Sequence, residues 1–384
     1  MFYYLSQYLL HAAENTAWQE ELSFLRLFRY ISFRGAGALI TALALSLWLG
    51  PKVIAWLKRL KFGQDYVDKA EEAGGLGART SSKRGTPTMG GILIVGVMDV
   101  TALLWAQWTT HVALTLISVL VLAGLGFYDD YAKITRQSNK GAKANLKLWV
   151  QCALGIFIAF YLWRDPHTEK LITEVMVPFV KYPVATGAVG TVIGLMLASV
   201  AIVGSSNAVN LTDGLDGLAI GCTLIVTTVF AALTYLAGNF RTAGYLQMPY
   251  VAGAGELTVI CLGMIGAGLG FLWFNCHPAR VFMGDTGSLA LGGALGIIAV
   301  LIHQPLMLVI AGGVFVAEAL SVIIQTGYFK YTRRKYGTGQ RVFLMAPLHH
   351  HFEKKGWHET QVVIRFYILC ILCAVVALST LKIR

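Results

Sequence analysis

The sequence predicts an all-α integral membrane protein: a single domain over residues 1–384, built as a polytopic bundle of about ten transmembrane helices. Three observations carry this. Of 384 residues, 56% are hydrophobic and only 13% charged, whereas soluble domains carry roughly a quarter charged residues. Apolar runs of about 20 residues, each long enough to cross a hydrocarbon core, recur along the whole chain. No stretch has the composition of a separate soluble domain.

Taken in order, the spans fall at 35–57, 89–108, 111–128, 146–163, 187–206, 215–237, 256–275, 286–303, 306–329 and 361–381. The ninth contains Gly312-Gly313, Glu318 and Gln325, so a break or kink is expected there. The first residues lack a basic region and a small-residue cleavage site, so no cleaved signal peptide is expected. Of the six cysteines, Cys370 and Cys373 form a CxxC spacing inside the last apolar run. With no partner pair nearby, they read as small helix-packing residues rather than a metal or redox site. Gly266, Gly270, Gly292 and Gly296 have small-xxx-small spacing and read as close helix contacts.

The net charge is +11. In a soluble protein that would suggest a nucleic-acid partner, but here its placement decides. The loops after odd-numbered spans hold 21 Lys and Arg, against nine in the remaining loops and tails. The asymmetry puts the odd loops in the cytoplasm and both termini outside. The basic charge therefore marks orientation, with no nucleic acid implied, and remains available to anionic substrates or lipid headgroups.

Nearly all unusual polar sequence falls on that cytoplasmic side, in five stretches: SKRGTPTMGG (82–91), FYDDY (127–131), NAVNLTDGLDG (207–217), FMGDTGS (282–288) and APLHHHFE (346–353). The segregation implies one polar site assembled from distant loops. Asp129, Asp130, Asp213, Asp216 and Asp285 lie at its helix ends beside glycines. Carboxylates at a membrane edge are costly unless paired, hydrated or bound to a cation. Hard oxygen ligands with water suit Mg²⁺, and glycines let backbone N–H groups approach phosphate oxygens. Acid, glycine and base at a membrane surface together imply phosphoryl chemistry on a lipid acceptor.

Each signal has a plainer reading. Asp129-Asp130 could be a solvated helix end, although acid there opposes the helix dipole. Asn210, Asp213 and Asp216 share one side if that turn is helical, or could cap the next helix. Asp285 could be an N-cap as well as a metal ligand. The histidines 349–351 lack cysteine partners for zinc, which favours contact with phosphate. Glu318 reads equally as a buried hydrogen-bonded acid or a functional one. Asp99, inside the second span, is assigned no role.

These five stretches, with GFLWFN and VFMGDTGSLALGGALGIIAVL, resemble the phospho-N-acetylmuramoyl-pentapeptide transferases, the bacterial lipid I synthases, in order from residue 82 to 357. The acidic motifs are shared with the wider polyprenyl-phosphate sugar-phosphate transferases. GTPTMGG and HHHFE are similar to the muramoyl-pentapeptide branch. The resemblance implies ten transmembrane helices in a bacterial cytoplasmic membrane, a homodimer and Mg²⁺ dependence. It implies a reaction joining UDP-N-acetylmuramoyl-pentapeptide and undecaprenyl phosphate into lipid I and UMP, for peptidoglycan synthesis. Carried over residue by residue, Asp129, Asp130 and Asp285 are catalytic acids, Asp285 is the principal Mg²⁺ ligand, and His349 and His350 lie beside the phosphates. Lys83, Thr88, Asn210, Asp213, Asp216, Phe282, Ser288 and Gln325 are implied in substrate binding. The basic stretch KYTRRKYGTGQR (330–341) is long for the family, and the N-terminal segment is unexplained by it. A sibling transferase using UDP-N-acetylglucosamine is the near alternative. A transporter is the rival class, but it would place ionisable groups near the midplane of repeated halves, and neither feature is present.

Overall fold

The computed structural model describes residues 1–14, 18–60, 85–135 and 141–381. Lys83 lies outside the described residues. Helix α1 (Phe2–Ala12) and a 3-10 helix (Glu21–Arg29) precede α2 (Ile31–Arg59), α3 (Gly91–Trp105), α4 (Thr110–Thr135) and α5 (Ala144–Arg164). A short α6 (Lys170–Thr173) leads to α7 (Gly187–Thr212), α8 (Leu218–Ala237), a short α9 (Phe240–Tyr245), α10 (Glu256–Asn275) and α11 (Gly284–Leu301). The chain ends with α12 (Pro305–Ala311), α13 (Gly313–Tyr336), α14 (Leu348–Lys354) and α15 (Glu359–Ser379).

Among the described residues, eight helices are long and apolar enough to cross a membrane: α2, α4, α5, α7, α8, α10, α11 and α15. Helices α12 and α13 together are long and apolar enough for one more span, but they meet at 86°, with the break at Gly312, where the Gly312-Gly313 pair leads one to expect it. Helix α3, at 15 residues, is the shorter tenth apolar segment. The fold is thus the all-α polytopic bundle expected. Its helices outrun the apolar segments at the polar end: α4 continues to Thr135 and α7 to Thr212. The hydropathy drops before the helix stops, so Asp129, Asp130 and Asn210 sit on helical turns rather than in loops.

Helix α11 is buried along nearly its whole length and forms the axis of the bundle, packed chiefly against α4 and α7; α8 and α10 are also mostly buried. Its glycines explain the tight fit. A methyl on Gly292 would come 2.8 Å from the Ser206 Cα of α7, and one on Gly296 would come 2.8 Å from the Ala201 carbonyl oxygen. Gly266 and Gly270 of α10 meet α2 in the same way, at Leu39, Ala42 and Ser46. Small-residue contacts of this kind let helices associate by close backbone packing where lipid supplies no hydrophobic drive.

The N-terminal segment wraps the end of the bundle opposite the polar stretches. Phe28 stacks on Trp105 at 5.8 Å, and Phe2 meets the same ring edge-on at 5.0 Å. Beneath them Arg34 makes two hydrogen bonds to the Glu256 carboxylate, at 2.5 and 2.6 Å. Glu256 also accepts from the Gln107 backbone N–H at 2.8 Å. This pair ties α2 to α10 and to the α3–α4 turn.

Candidate active site

At the opposite end, the C-terminal turns of α4 and α7 and the N-terminus of α11 converge. Asp130 is buried and acts as a cap for α11 supplied from another helix. One carboxylate oxygen accepts from the Asp285 backbone N–H at 3.1 Å. The other accepts from the Thr286 N–H at 3.0 Å and the Thr286 hydroxyl at 2.8 Å. An acid suits a helix N-terminus, where the N–H groups and the dipole are both unsatisfied. Gly284 begins the helix at φ +71°, and a side chain there would strike both Asp130 and Thr88. Thr88 is itself buried, on a loop that pairs with the chain before α11: Phe282 N–H donates to the Pro87 carbonyl, and Gly90 N–H to the Phe282 carbonyl, each at 2.8 Å.

This capping brings Asp285 beside Asp129. Two lysines lie between them. Lys133 reaches Asp129 at 2.6 Å and Asp285 at 3.2 Å. Lys147 reaches Asp129 at 2.9 Å and Asp285 at 2.6 Å. Asp129 also accepts from the Ala142 N–H at 2.7 Å, so the segment before α5 folds over it. Neither lysine was singled out from sequence, where both counted only as orientation charge. Lys133 had a signal, standing four residues after Asp129, the spacing of a helical ion pair. Lys147 had none.

Asn210 donates to Asp285 at 3.0 Å and to the Ser288 hydroxyl at 2.8 Å, joining α7 to the cluster. The helix stops two residues later, so the common side expected for Asn210, Asp213 and Asp216 is not built by helical register. Gly217, at φ +82°, turns the chain into α8. Asp213 stays within the field of the acids. Burial first, then the charges of Asp285, Asp130 and Asp216, push its carboxyl up to about 8, opposed by a hydrogen bond from the Gly284 N–H. Asp216 is held elsewhere, accepting from the Ala279 N–H at 3.0 Å and facing His277 at 3.3 Å. Glu359, at the start of α15, accepts from the Asp216 N–H at 2.9 Å. His277 and Glu359 were not anticipated.

The histidine stretch forms α14. Glu318 of α13 is fully buried and accepts from the N–H groups of Leu348 and His349 at 2.7 and 3.2 Å. It also lies 3.1 Å from His349 Nδ1. One carboxylate thus caps α14 and fixes the His349 ring, whose Nε2 is turned toward Gly214. Glu318 is the buried, bonded acid of its two readings, and what it bonds is a candidate site residue. His350 pairs with Glu353 at 2.8 Å. Gln325 accepts from the Val342 and Phe343 N–H groups at 3.0 and 2.9 Å and donates to the Phe343 carbonyl at 3.1 Å. In this structure it holds the loop before α14.

The carboxylates of Asp129, Asp130 and Asp285 each place one oxygen within 4.8 Å of the other two. All are hard oxygen donors, which fits a divalent cation of the Mg²⁺ kind. Two basic side chains stand beside them, the setting in which a polyanionic substrate is bound.

The glycosyl transferase family 4 model matches residues 112–303. A phospho-N-acetylmuramoyl-pentapeptide-transferase signature matches residues 83–95. A phospho-N-acetylmuramoyl-pentapeptide-transferase of Methylacidiphilum infernorum is 48% identical, over 94% of this chain and 97% of its own. The chain belongs to the phospho-N-acetylmuramoyl-pentapeptide-transferase family. A second member, from Opitutus terrae, is 48% identical over 95% of this chain and 98% of its own. The family's matched region runs from α4 to the end of α11 and so contains Asp129, Asp130, Asn210, Asp213, Asp216 and Asp285. The signature covers the Thr88 loop and the start of α3.

Proposed function

We infer that this protein transfers phospho-N-acetylmuramoyl-pentapeptide from its UDP donor to undecaprenyl phosphate, giving lipid I and UMP, the first membrane step of peptidoglycan synthesis. Full-length similarity to transferases of that name supports the substrates. The observation that carries the chemistry is the clamp in which Asp130 caps α11 while Lys133 and Lys147 bridge Asp129 and Asp285. The polar ends of the helices face the cytoplasm of a bacterial inner membrane on the positive-inside asymmetry, and the working unit is a homodimer.

Asp285, with Asp129 and Asp130 alongside, would hold Mg²⁺. The ion would neutralise the donor diphosphate and polarise its phosphoryl oxygens. Lys133 and Lys147 give up part of their hold on the carboxylates and turn to the incoming phosphates, relieving repulsion between two anions. Asn210 keeps Asp285 oriented. His349 and His350 border the phosphates, with Thr88, Asp213, Asp216, Phe282, Ser288 and Gln325 on the nucleoside side, together with Lys83.

The transfer is a direct displacement: an acceptor phosphate oxygen attacks the donor's β-phosphorus, and UMP leaves with the bond electrons. The acceptor needs little activation, since the second pKa of a phosphate monoester is about 6. Asp130 is a poor nucleophile because both its oxygens are engaged by α11. Asp129 orients the acceptor or takes a proton from its minor monoanionic form. A donor made chiral at the β-phosphorus tests this: a single inversion is expected, and net retention would refute it. Asp285→Asn should abolish UMP release in folded, inserted protein. Normal turnover in that variant would remove Asp285 from the mechanism.

A further inference from the structure

The basic stretch 330–341 takes no part in the site just described, yet it is built into α13. No Asp or Glu occurs between Glu318 and Glu353, while Lys330, Arg333, Arg334, Lys335 and Arg341 all fall in that interval and all are exposed. Helix α13 has two unlike sides. One faces the protein: Glu318, Ser321 and Thr332 are buried, and the loop after the helix returns along this side, with Gln340 N–H donating to Thr332 Oγ1 at 2.8 Å. The other is bare. Leu320, Ile323 and Ile324 are exposed, then Tyr328 and Tyr331.

At 100° per residue, Leu320, Ile324, Tyr331, Arg334 and Lys335 share this outward face. The order along it is apolar, then aromatic, then cationic, over about 21 Å from Leu320 to Arg334 at 1.5 Å per residue. That is the order of environments met on leaving a bilayer: hydrocarbon, interface, headgroup phosphates. Lys335 Nζ lies 3.4 Å from the Tyr331 hydroxyl and 5.2 Å from the Tyr336 ring, so the cation is held at the aromatic level.

We propose that this outward face of α13 is a docking surface for the anionic phospholipid headgroups of the membrane, with Arg334 and Lys335 as the phosphate-binding pair and Tyr331 as the interfacial anchor. The charge is of one sign across 34 residues of sequence and continues an exposed apolar stripe, which suits a lipid surface. A soluble acidic partner would leave Leu320, Ile323 and Ile324 uncovered. Docking there steadies the helix that holds Gln325 and Glu318, and through them the loop and α14. The surface does not depend on the identity of the sugar donor.

The test places the full chain in nanodiscs of mixed phosphatidylcholine and phosphatidylglycerol and measures the lipids it retains by native mass spectrometry. Preferential retention of phosphatidylglycerol is expected. The preference should fall about fivefold for each charge removed, so markedly in R334Q/K335Q, and not in the opposite-end control R164Q/K181Q. Equal retention of the two lipids by the wild-type chain would overturn the proposal. So would an unchanged preference in R334Q/K335Q.

Discussion

Gly126 of α4 lies where that helix crosses the start of α11, one turn before Asp130. A methyl group built on it would sit 2.5 Å from the Thr286 nitrogen and closer still to the Asp285 carbonyl. Ordinary contact begins at 3.4 Å, so Gly126→Ala forces the two backbones apart by about 1 Å. The three hydrogen bonds by which Asp130 caps α11 are 2.8–3.1 Å long. A 1 Å displacement takes them beyond hydrogen-bonding range. Asp285 would then leave its place between the lysines, and a misplacement of that size costs on the order of 10²-fold in rate. Gly124→Ala supplies the control, because it adds the same methyl to the same helix where nothing lies within 4 Å. The assay is UMP release by purified protein, with a thermal melt of both variants. The expected result is a loss of about 10²-fold at Gly126 and none at Gly124, with both proteins folded. Near-normal turnover by Gly126→Ala would refute the clamp as the element that sets the site.

Lys147→Gln should lower kcat by about 10²–10³-fold, the usual cost of removing one group that stabilises developing charge, measured on protein that a thermal melt shows to be folded at the assay temperature. Because Asp213 is pushed up to about 8, it is neutral below that pH and charges as pH rises through it. Its added negative charge opposes the anionic donor, so kcat/KM should fall on the alkaline side, and Asp213→Asn should lack that fall. At the other end of the bundle, Glu256→Gln leaves the buried Arg34 charge without its counter-ion. It should destabilise by about 3–5 kcal/mol in denaturant unfolding, and the double change R34M/E256M should recover most of this.

The bundle was legible because bilayer thickness and backbone satisfaction dictate apolar runs of one length. The span from 256 to 275 coincides with α10, and the break at Gly312-Gly313 is where the glycines stand. Helix ends were less legible: the apolar spans end at 128 and 206, while hydrogen bonding carries α4 and α7 on by about two turns. The polar site residues were visible as motifs, but their pairings were not. Nothing local shows that Asp130 caps a helix 155 positions later, that Lys147 lies against Asp285, or that Glu318 holds His349. Those contacts are made by tertiary packing through glycines such as Gly126 and Gly292. The basic charge was read as orientation, with substrates and lipid headgroups left open as local uses, because counting loops cannot separate a lysine facing headgroups from one facing aspartates.

The most direct measurement is an assay of the purified chain with undecaprenyl phosphate, Mg²⁺ and a panel of UDP-sugars, identifying the lipid product by mass. UDP-N-acetylmuramoyl-pentapeptide should give lipid I and one UMP per lipid formed, with product lost on chelation and in Asp285→Asn. A lipid product formed instead from UDP-N-acetylglucosamine, or release of UDP in place of UMP, would contradict the account.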